Sequence, residues 1–152
     1  MDSSRIINTY AANSESNSLK GFEVPADSAT DHLIAEFHSY APYYFAFKQD
    51  DASKQLTVFD AACEKEVKGI INKAVSALHA KGLPCIIGEY GTDSATASDS
   101  EIAKQATCYV STAKALDVTC FYWMALSDGQ DRSVPKWTKP LIKNAILAAA
   151  GN

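Results

Sequence analysis

The chain has 152 residues, 47% of them apolar and 10% aromatic, which is enough for one hydrophobic core and excludes a disordered protein. Its formal net charge is -4, and its lysines and arginines are interspersed among acids, so it has no basic stripe for nucleic acid and no cationic face for a membrane surface. No apolar segment approaches the ~20 residues of a membrane helix, and residues 1–5 do not begin a secretory signal. These features predict a single soluble domain over 1–152 with an uncharged partner.

Short apolar runs bounded by polar or turn residues predict β-strands at four places. The first run is followed by a polar stretch over 12–31, rich in Ser and Asn, which predicts a loop or a poor helix. A second long connection, over 39–56, carries several aromatic residues before a polar run. The predicted strands cover 5–11, 33–38, 84–89 and 118–124.

Helical periodicity follows the second, third and fourth of these runs. Asp60 is a residue type favoured at the N-cap, and the apolar residues after it recur with a 3.6-residue period until Gly82, which would end the helix. Ser98 and Glu101 have capping-box spacing, and Pro140 suits the first turn of the last helix. The predicted helices cover 60–82, 102–116 and 138–146.

The order of elements is strand, link, strand, helix, strand, helix, strand, helix. The strands are almost continuously apolar and the connections are long enough for parallel crossovers, so the order predicts an α/β protein with a parallel sheet. Four βα units are half the number that closes a (β/α)8 barrel. The predicted fold is therefore a half (β/α)8 TIM barrel of four parallel strands and three main helices, with its functional groups at the carboxyl ends of the strands.

The cysteines do not form a Cys-x-x-Cys pair. Two of them lie inside apolar runs, where a buried thiol behaves as a small hydrophobe. We therefore expect reduced core cysteines at positions 63, 85, 108 and 120, and we predict no metal site and no cofactor.

Three of the predicted strands end in polar or aromatic motifs. They are Ile-Gly-Glu-Tyr-Gly around Glu89, His-Ser-Tyr at 38–40 followed by Ala-Pro-Tyr, and Tyr-Trp at 122–123. Together these motifs resemble the C-terminal half of glycoside hydrolase family 5, the cellulase family of retaining (β/α)8 barrels. The resemblance covers nearly the whole chain and would make its strands the fifth to eighth of such a barrel.

The resemblance implies an endo-β-1,4-glucanase whose substrate is a β-glucan. Glu89 would be the catalytic nucleophile, His38 and Tyr40 the catalytic residues that support it, and Trp123 a substrate-binding platform that stacks on a sugar. The family places its general acid/base in an Asn-Glu-Pro motif, and this tripeptide does not occur in the chain. The alternative interpretation is a catalytically inactive or carbohydrate-binding half barrel.

Glu36 shares a strand face with His38, and in a closed barrel this face is the interior. An unpaired buried carboxylate is costly, so its presence there needs an explanation. We rank three in order: an ion pair with Arg5 or a lysine, exposure because the barrel is open, and recruitment as a substitute acid.

Aromatic residues outside the motifs have two readings. Tyr43, Tyr44 and Phe47 either extend a sugar-binding groove or cover the core. Trp123 is expected to be largely buried in either case, and Trp137 is predicted to be a packing residue before the last helix.

A half barrel has an apolar inner face and two unpaired strand edges, which invite pairing with another chain. The sequence therefore predicts self-association, with a homodimer that completes the barrel as the simplest form. In such a dimer Asp128, which follows the last strand, would approach the place where the family keeps its acid.

Overall fold

A computed structural model of the chain describes residues 5–8, 22–26, 32–93, 95–123 and 137–151, together with Leu19 and Ser28. Within this part, the strands form one sheet in the order β1-β2-β3-β4, and every neighbouring pair is parallel. The predicted parallel α/β sheet is thus confirmed. The predicted strand residues 9–11 and 124, and most of the 12–31 link, lie outside the described residues. The strands are β1 (Arg5–Asn8), β2 (Leu33–His38), β3 (Cys85–Tyr90) and β4 (Thr119–Tyr122).

Three long helices lie where the apolar periodicity predicts them, with ends that differ by a few residues. The 39–56 connection also contains a short helix and a 3-10 turn over Ala52–Lys54, which its aperiodic sequence does not indicate. None of the described helices combines the length and the hydropathy needed to cross a bilayer. The helices are α1 (Tyr43–Ala46), α2 (Ala61–His79), α3 (Asp99–Ala115) and α4 (Pro140–Ala150).

Helix α2 begins and ends with the signals that its sequence carries. The Asp60 carboxylate accepts hydrogen bonds from the backbone N–H groups of Ala62 and Cys63, each at 3.0 Å, as an N-cap does. After the helix, Gly82 has a φ of +75°, a left-handed conformation that residues with a Cβ rarely adopt. The buried stripe between these ends faces the sheet and comprises Cys63, Val67, Ile71, Ala74, Val75 and Leu78.

The start of helix α3 uses only half of the predicted capping box. Ser98 Oγ accepts a hydrogen bond from the Glu101 N–H at 3.4 Å, but the Glu101 carboxylate accepts from the Phe59 N–H at 2.8 Å and from Lys104 Nζ at 2.6 Å. The Lys104 contact and the Phe59 N–H lower the pKa of Glu101. Glu101 therefore ties the start of α3 to the segment before α2 instead of closing a local box.

The core lies between the helices and one side of the sheet. On β2, Ala35 and Phe37 are fully buried against the helices, and on β3 Ile87 is fully buried too. The other side of the sheet, which we call the open face, carries Glu36 and His38 of β2 at intermediate exposure. This is the face that turns toward the axis in a closed barrel. Its other side chains include Ile34, Ile86, Glu89, Phe121 and Trp123.

Two stacked tyrosines join β3 to α3 within the core. The rings of Tyr90 and Tyr109 lie 4.7 Å apart at an interplanar angle of 14°, and both residues are almost completely buried. Burial, which disfavours the charged phenolate, raises the pKa of both well above the ordinary tyrosine value.

Alkaline pH should therefore destabilise the fold. Below about pH 10 both tyrosines are protonated in the folded and unfolded chain, whereas above it only the unfolded chain ionises. We expect the free energy of unfolding at pH 11 to be lower than at pH 8 by about 1.4 kcal/mol for each of the two tyrosines. Urea unfolding from pH 8 to 11, followed by tryptophan fluorescence, measures this loss. In Tyr90→Phe the loss of unfolding free energy between pH 8 and 11 should be smaller by the contribution of one tyrosine. An unfolding free energy that does not change with pH would contradict the prediction.

Candidate active site

The end of β2 presents a row of polar side chains on the open face. Glu36, His38 and Tyr40 alternate with Phe37 and Ser39, which are fully buried on the side of the helices. The row continues past the strand because the Ser39 N–H donates to the Glu89 backbone carbonyl at 2.9 Å. The predicted site residues His38 and Tyr40 therefore lie side by side at the carboxyl end of the strand.

Glu89 reaches the same face through an irregularity in β3. Phe37 pairs with Ile87 and His38 pairs with Glu89, so β3 has one extra residue, Gly88, between two consecutive pairs. In a regular strand, alternation would turn Glu89 to the side of Ile87, toward the helices. A bulge of this kind re-aims the following side chain, and it places Glu89 on the open face.

The three predicted catalytic residues meet at one carboxylate oxygen. Tyr40 donates its hydroxyl to Glu89 Oε2 at 2.7 Å, and His38 Nδ1 lies 3.1 Å from the same oxygen. The His38 and Glu89 side chains are 22% and 24% exposed, so the pair is open to a ligand yet partly shielded from water. Burial, and then the hydrogen bond to Glu89, raise the pKa of Tyr40, so its hydroxyl stays a donor across the neutral range.

Glu36 contacts the other nitrogen of the same imidazole. Its Oε1 lies 3.4 Å from His38 Nε2, and its side chain is 25% exposed. The partial exposure of Glu36 agrees with the expectation of an open barrel. The expected ion pair with a lysine is not found among the described side chains, where the partner of Glu36 is His38. Pairing with Arg5 stays a prediction, because the structure does not describe the Arg5 side chain.

The loop that carries Tyr40 is fastened to helix α3. The Tyr109 hydroxyl accepts a hydrogen bond from the Ala41 N–H at 2.8 Å and lies 2.9 Å from Ser39 Oγ and 3.2 Å from the Ala41 carbonyl oxygen. Gln105 Nε2 donates to the same carbonyl at 2.9 Å, and Gln105 Oε1 accepts from the Thr92 hydroxyl. The helical pattern marks Tyr109 only as an apolar stripe residue. The signal for its second role is that a buried hydroxyl or amide must find partners.

Trp123 is exposed, which corrects the expectation that it would be buried. Its side chain is 63% exposed, although its backbone is held by the hydrogen bond from the Trp123 N–H to the Tyr90 carbonyl at 2.7 Å. The expectation assumed a closed barrel. In the described part of the chain β4 is an edge strand, so the indole has a neighbouring strand on one side only. Trp137, predicted to pack, is 37% exposed.

An aromatic shelf, made of Tyr43, Tyr44 and Phe47, extends from the site. Phe47 lies 5.1 Å from the Tyr40 ring and 5.3 Å from the Tyr43 ring, and Tyr43 lies 5.8 Å from Tyr44. The exposed fraction is 53% for Tyr43, 45% for Tyr44 and 37% for Phe47. A large part of each ring is therefore open to solvent, and the groove interpretation stays a prediction.

The cysteines are separate from this site. All four thiols are free, three are buried and Cys120 is partly buried. Burial raises the pKa of Cys85 and of Cys120 to about 11, which keeps both thiols protonated at neutral pH. Among the described residues, no group of three or more His, Cys, Asp or Glu side chains is arranged to hold a metal ion.

One family model matches most of the chain. The family model described as cellulase, glycosyl hydrolase family 5, matches residues 5–129. The chain belongs to this cellulase family. The predicted family is thereby confirmed, and the parallel sheet together with the solved structures below confirms the predicted half (β/α)8 barrel. The predicted site residues Glu89, His38, Tyr40 and Trp123 fall within the matched segment.

Relatives in the cellulase family are longer than this chain. Endoglucanase A of Clostridium longisporum is 28% identical over 95% of this chain, which spans 29% of that protein. Endoglucanase 1 of Ruminococcus albus is 32% identical over 78% of this chain and 27% of that protein. The chain therefore spans less than half the length of these relatives.

Solved cellulase-family structures superpose on nearly the whole chain. A mutant lichenase from Caldicellulosiruptor sp. F32 in complex with cellotetraose matches with a TM-score of 0.82 and 25% identity, over 98% of this chain and 43% of that one. A family 5 enzyme from Prevotella bryantii B14 matches with a TM-score of 0.80 and 32% identity, over 97% of this chain and 43% of that one.

Asp128, which is predicted to approach the acid/base position of a second copy, lies outside the described residues.

Proposed function

We propose that this chain supplies the nucleophile side of a retaining glycoside hydrolase that acts on β-1,4-glucans. The observation that carries the proposal is Glu89, a carboxylate at the carboxyl end of a barrel strand, with His38 and Tyr40 on one of its two oxygens. Membership of the cellulase family supports the reaction class. The single domain over 1–152 would correspond to strands five to eight of the barrel.

In the proposed reaction Glu89 Oε1 attacks the anomeric carbon of the scissile sugar. The glycosidic C–O bond breaks as the new ester bond forms, and the leaving oxygen takes both bonding electrons and a proton from a general acid. Water then attacks the same carbon, gives a proton to the conjugate base of that acid and releases Glu89 as a carboxylate, so the anomeric configuration is retained. The contacts of Tyr40 and His38 to Oε2 would hold Oε1 toward the substrate.

The general acid would come from outside the described part of the chain. A retaining enzyme places its two carboxyl groups about 5 to 5.5 Å apart, across the sugar from each other. Glu36 lies on the same strand face as His38 and behind the imidazole, so it is poorly placed for this role. Asp128 from a second copy stays the prediction for a homodimer.

Self-association is part of the proposal. Phe121 on β4 and Trp123 directly after it are 52% and 63% exposed on the open face, and β1 and β4 are the edges of the described sheet. Apolar faces and unpaired edges of this kind favour association with another polypeptide. A second copy that completes the barrel would cover both.

The substrate class is a β-linked glucan chain. Trp123 offers an exposed flat face that suits the C–H face of a pyranose, and the aromatic shelf beside Tyr40 would extend the groove. Among the relatives, one structure is a complex with cellotetraose and another is a complex with a xyloglucan tetradecasaccharide. An extended β-1,4-glucan would run from Glu89 along these rings.

The test is reducing-sugar release from carboxymethylcellulose and lichenan by the full chain over a range of protein concentrations. Sedimentation measured on the same samples gives the oligomeric state. Turnover that rises together with the dimer fraction is the expected result. Glucan binding without turnover at any concentration would favour the carbohydrate-binding alternative, and neither binding nor turnover would reject the proposal.

Substitution of Trp123 by Ala should weaken glucan binding without unfolding the chain. An exposed indole contributes little to the core, whereas the contact of its face with a sugar should be comparable to an aromatic pair, about 0.5 to 1.5 kcal/mol, so the affinity for cellotetraose should fall up to about tenfold. Isothermal titration calorimetry with cellotetraose measures this change. Trp137→Ala is the matched control, because Trp137 precedes α4 and should not affect binding. Equal affinities of Trp123→Ala and the wild type would contradict the prediction.

A further inference from the structure

We propose that Glu36 is a positioning residue: it holds the His38 imidazole in the orientation that places Nδ1 against Glu89. Glu36 and Glu89 face the two different nitrogens of one ring: Glu36 Oε1 lies 3.4 Å from Nε2, and Glu89 Oε2 lies 3.1 Å from Nδ1. The contribution of this contact to hydrolysis rests on the proposed function, but its effect on the ring orientation does not. This role accounts for a carboxylate on the strand face that turns toward the axis in a closed barrel.

The position of Glu36 favours a positioning role over direct proton transfer to the leaving group. Its Cα pairs with Ile86, two residue pairs before the pair of His38 with Glu89, and two strand residues span about 6 to 7 Å. The imidazole stands between the two carboxylates. Glu36 can therefore act on Glu89 only through His38.

Gly88 supplies the space that this arrangement needs. A Cβ on Gly88 would lie 1.8 Å from Glu36 Oε1, 2.5 Å from Cδ and 2.6 Å from Cγ. The Glu36 side chain therefore lies directly on the backbone of the extra residue in β3, where any other side chain would displace it. The bulge thus serves two purposes, since it turns Glu89 to the open face and makes room for Glu36.

The contact at Nε2 distinguishes the two orientations of the ring. A half turn about the Cβ–Cγ bond exchanges Nδ1 with a carbon, which cannot donate a hydrogen bond to Glu89. With a carboxylate at each nitrogen, only one of the two orientations makes both contacts. Without Glu36, the orientation depends on Glu89 alone, so the hold on Oε2 weakens.

The test follows the ring nitrogens of His38 by NMR in chain labelled with ¹⁵N-histidine, a readout that requires no catalytic activity. The chain has 3 histidines, so His32 and His79 are internal controls, and the His38→Asn spectrum assigns the third signal. In Glu36→Ala the His38 ring-nitrogen shifts should move while those of the other two stay. Glu36→Gln keeps a side-chain oxygen in place, so its shift change should be smaller.

Three results would overturn the proposal. They are unchanged His38 shifts in Glu36→Ala, an equal change in Glu36→Ala and Glu36→Gln, and a change that extends to His32 and His79, which would assign Glu36 to the fold. Gly88→Ala should reproduce the His38 shift change of Glu36→Ala, because it expels the carboxylate. Where turnover is measurable, Glu36→Ala should lower kcat about 10- to 100-fold with little change in KM, as expected for a misplaced catalytic group.

Discussion

Replacement of Glu89 by Gln is expected to reduce glucan hydrolysis by at least about 10⁴-fold, because an amide cannot form the covalent ester that the proposed reaction requires. Gln has nearly the same size and keeps a carbonyl oxygen that can accept from Tyr40. The fold and the affinity for cellotetraose should therefore change little. Reducing-sugar release from lichenan, with circular dichroism and calorimetry on the same sample, separates the chemical effect from a structural one.

A second Glu89 variant distinguishes a nucleophile from a general acid. Glu89→Ala opens space beside the anomeric carbon, so a small external anion such as azide should restore turnover and give a glycosyl product of inverted configuration. Glu64→Gln is the matched control, since Glu64 is an exposed carboxylate on α2 that pairs with Lys68 at 2.9 Å. Glu89→Gln with wild-type turnover, or azide rescue with retained configuration, would contradict the assignment.

The sequence predicts the scaffold of this site well, because the scaffold depends on local signals. Asp60 caps α2 as expected, and Gly82 adopts the left-handed conformation that ends it. Apolar runs with long connections indicate parallel strands, since each crossover needs a helix between them. The His38 and Tyr40 row follows from simple alternation along β2.

The presentation of Glu89 could not be predicted in the same way. Strict alternation from Ile87 would point Glu89 into the helix layer, and only the extra residue in β3 reverses this. Gly88 within an apolar run is compatible with a turn, a bulge or a close contact. Its neighbour Glu36 is 52 residues away in the chain, so the need for a glycine becomes apparent only when the two strands are paired.

Trp123 and Glu101 show how tertiary context overrides a local rule. The burial expected for Trp123 requires a strand on the far side of β4, and the described sheet ends there. Glu101 has the spacing to cap its own helix, yet its carboxylate accepts from the Phe59 N–H. In both cases the local sequence does not show which neighbour is present, since Phe59 is distant in the chain and the described sheet has no strand beyond β4.

Replacement of Tyr109 by Phe is expected to lower the free energy of unfolding by about 3 kcal/mol. The change removes one buried hydroxyl and leaves the Ala41 N–H, which donates to it at 2.8 Å, without an acceptor among the described residues. A buried donor left unpaired costs about 1 to 3 kcal/mol, and the contact with Ser39 Oγ at 2.9 Å is lost as well. Urea unfolding at neutral pH measures the change.

The consequence of Tyr109→Phe should extend from stability to the site, because residues 39–41 carry Tyr40 to Glu89. The weaker anchor would loosen the Tyr40 contact, so turnover should fall even at temperatures where the variant remains folded. Tyr43→Phe is the matched control: Tyr43 is 53% exposed, and removal of its hydroxyl should change stability by less than about 0.5 kcal/mol. Equal stabilities of the two variants would contradict the anchoring role, whereas stability lost without an effect on turnover would confine Tyr109 to the core.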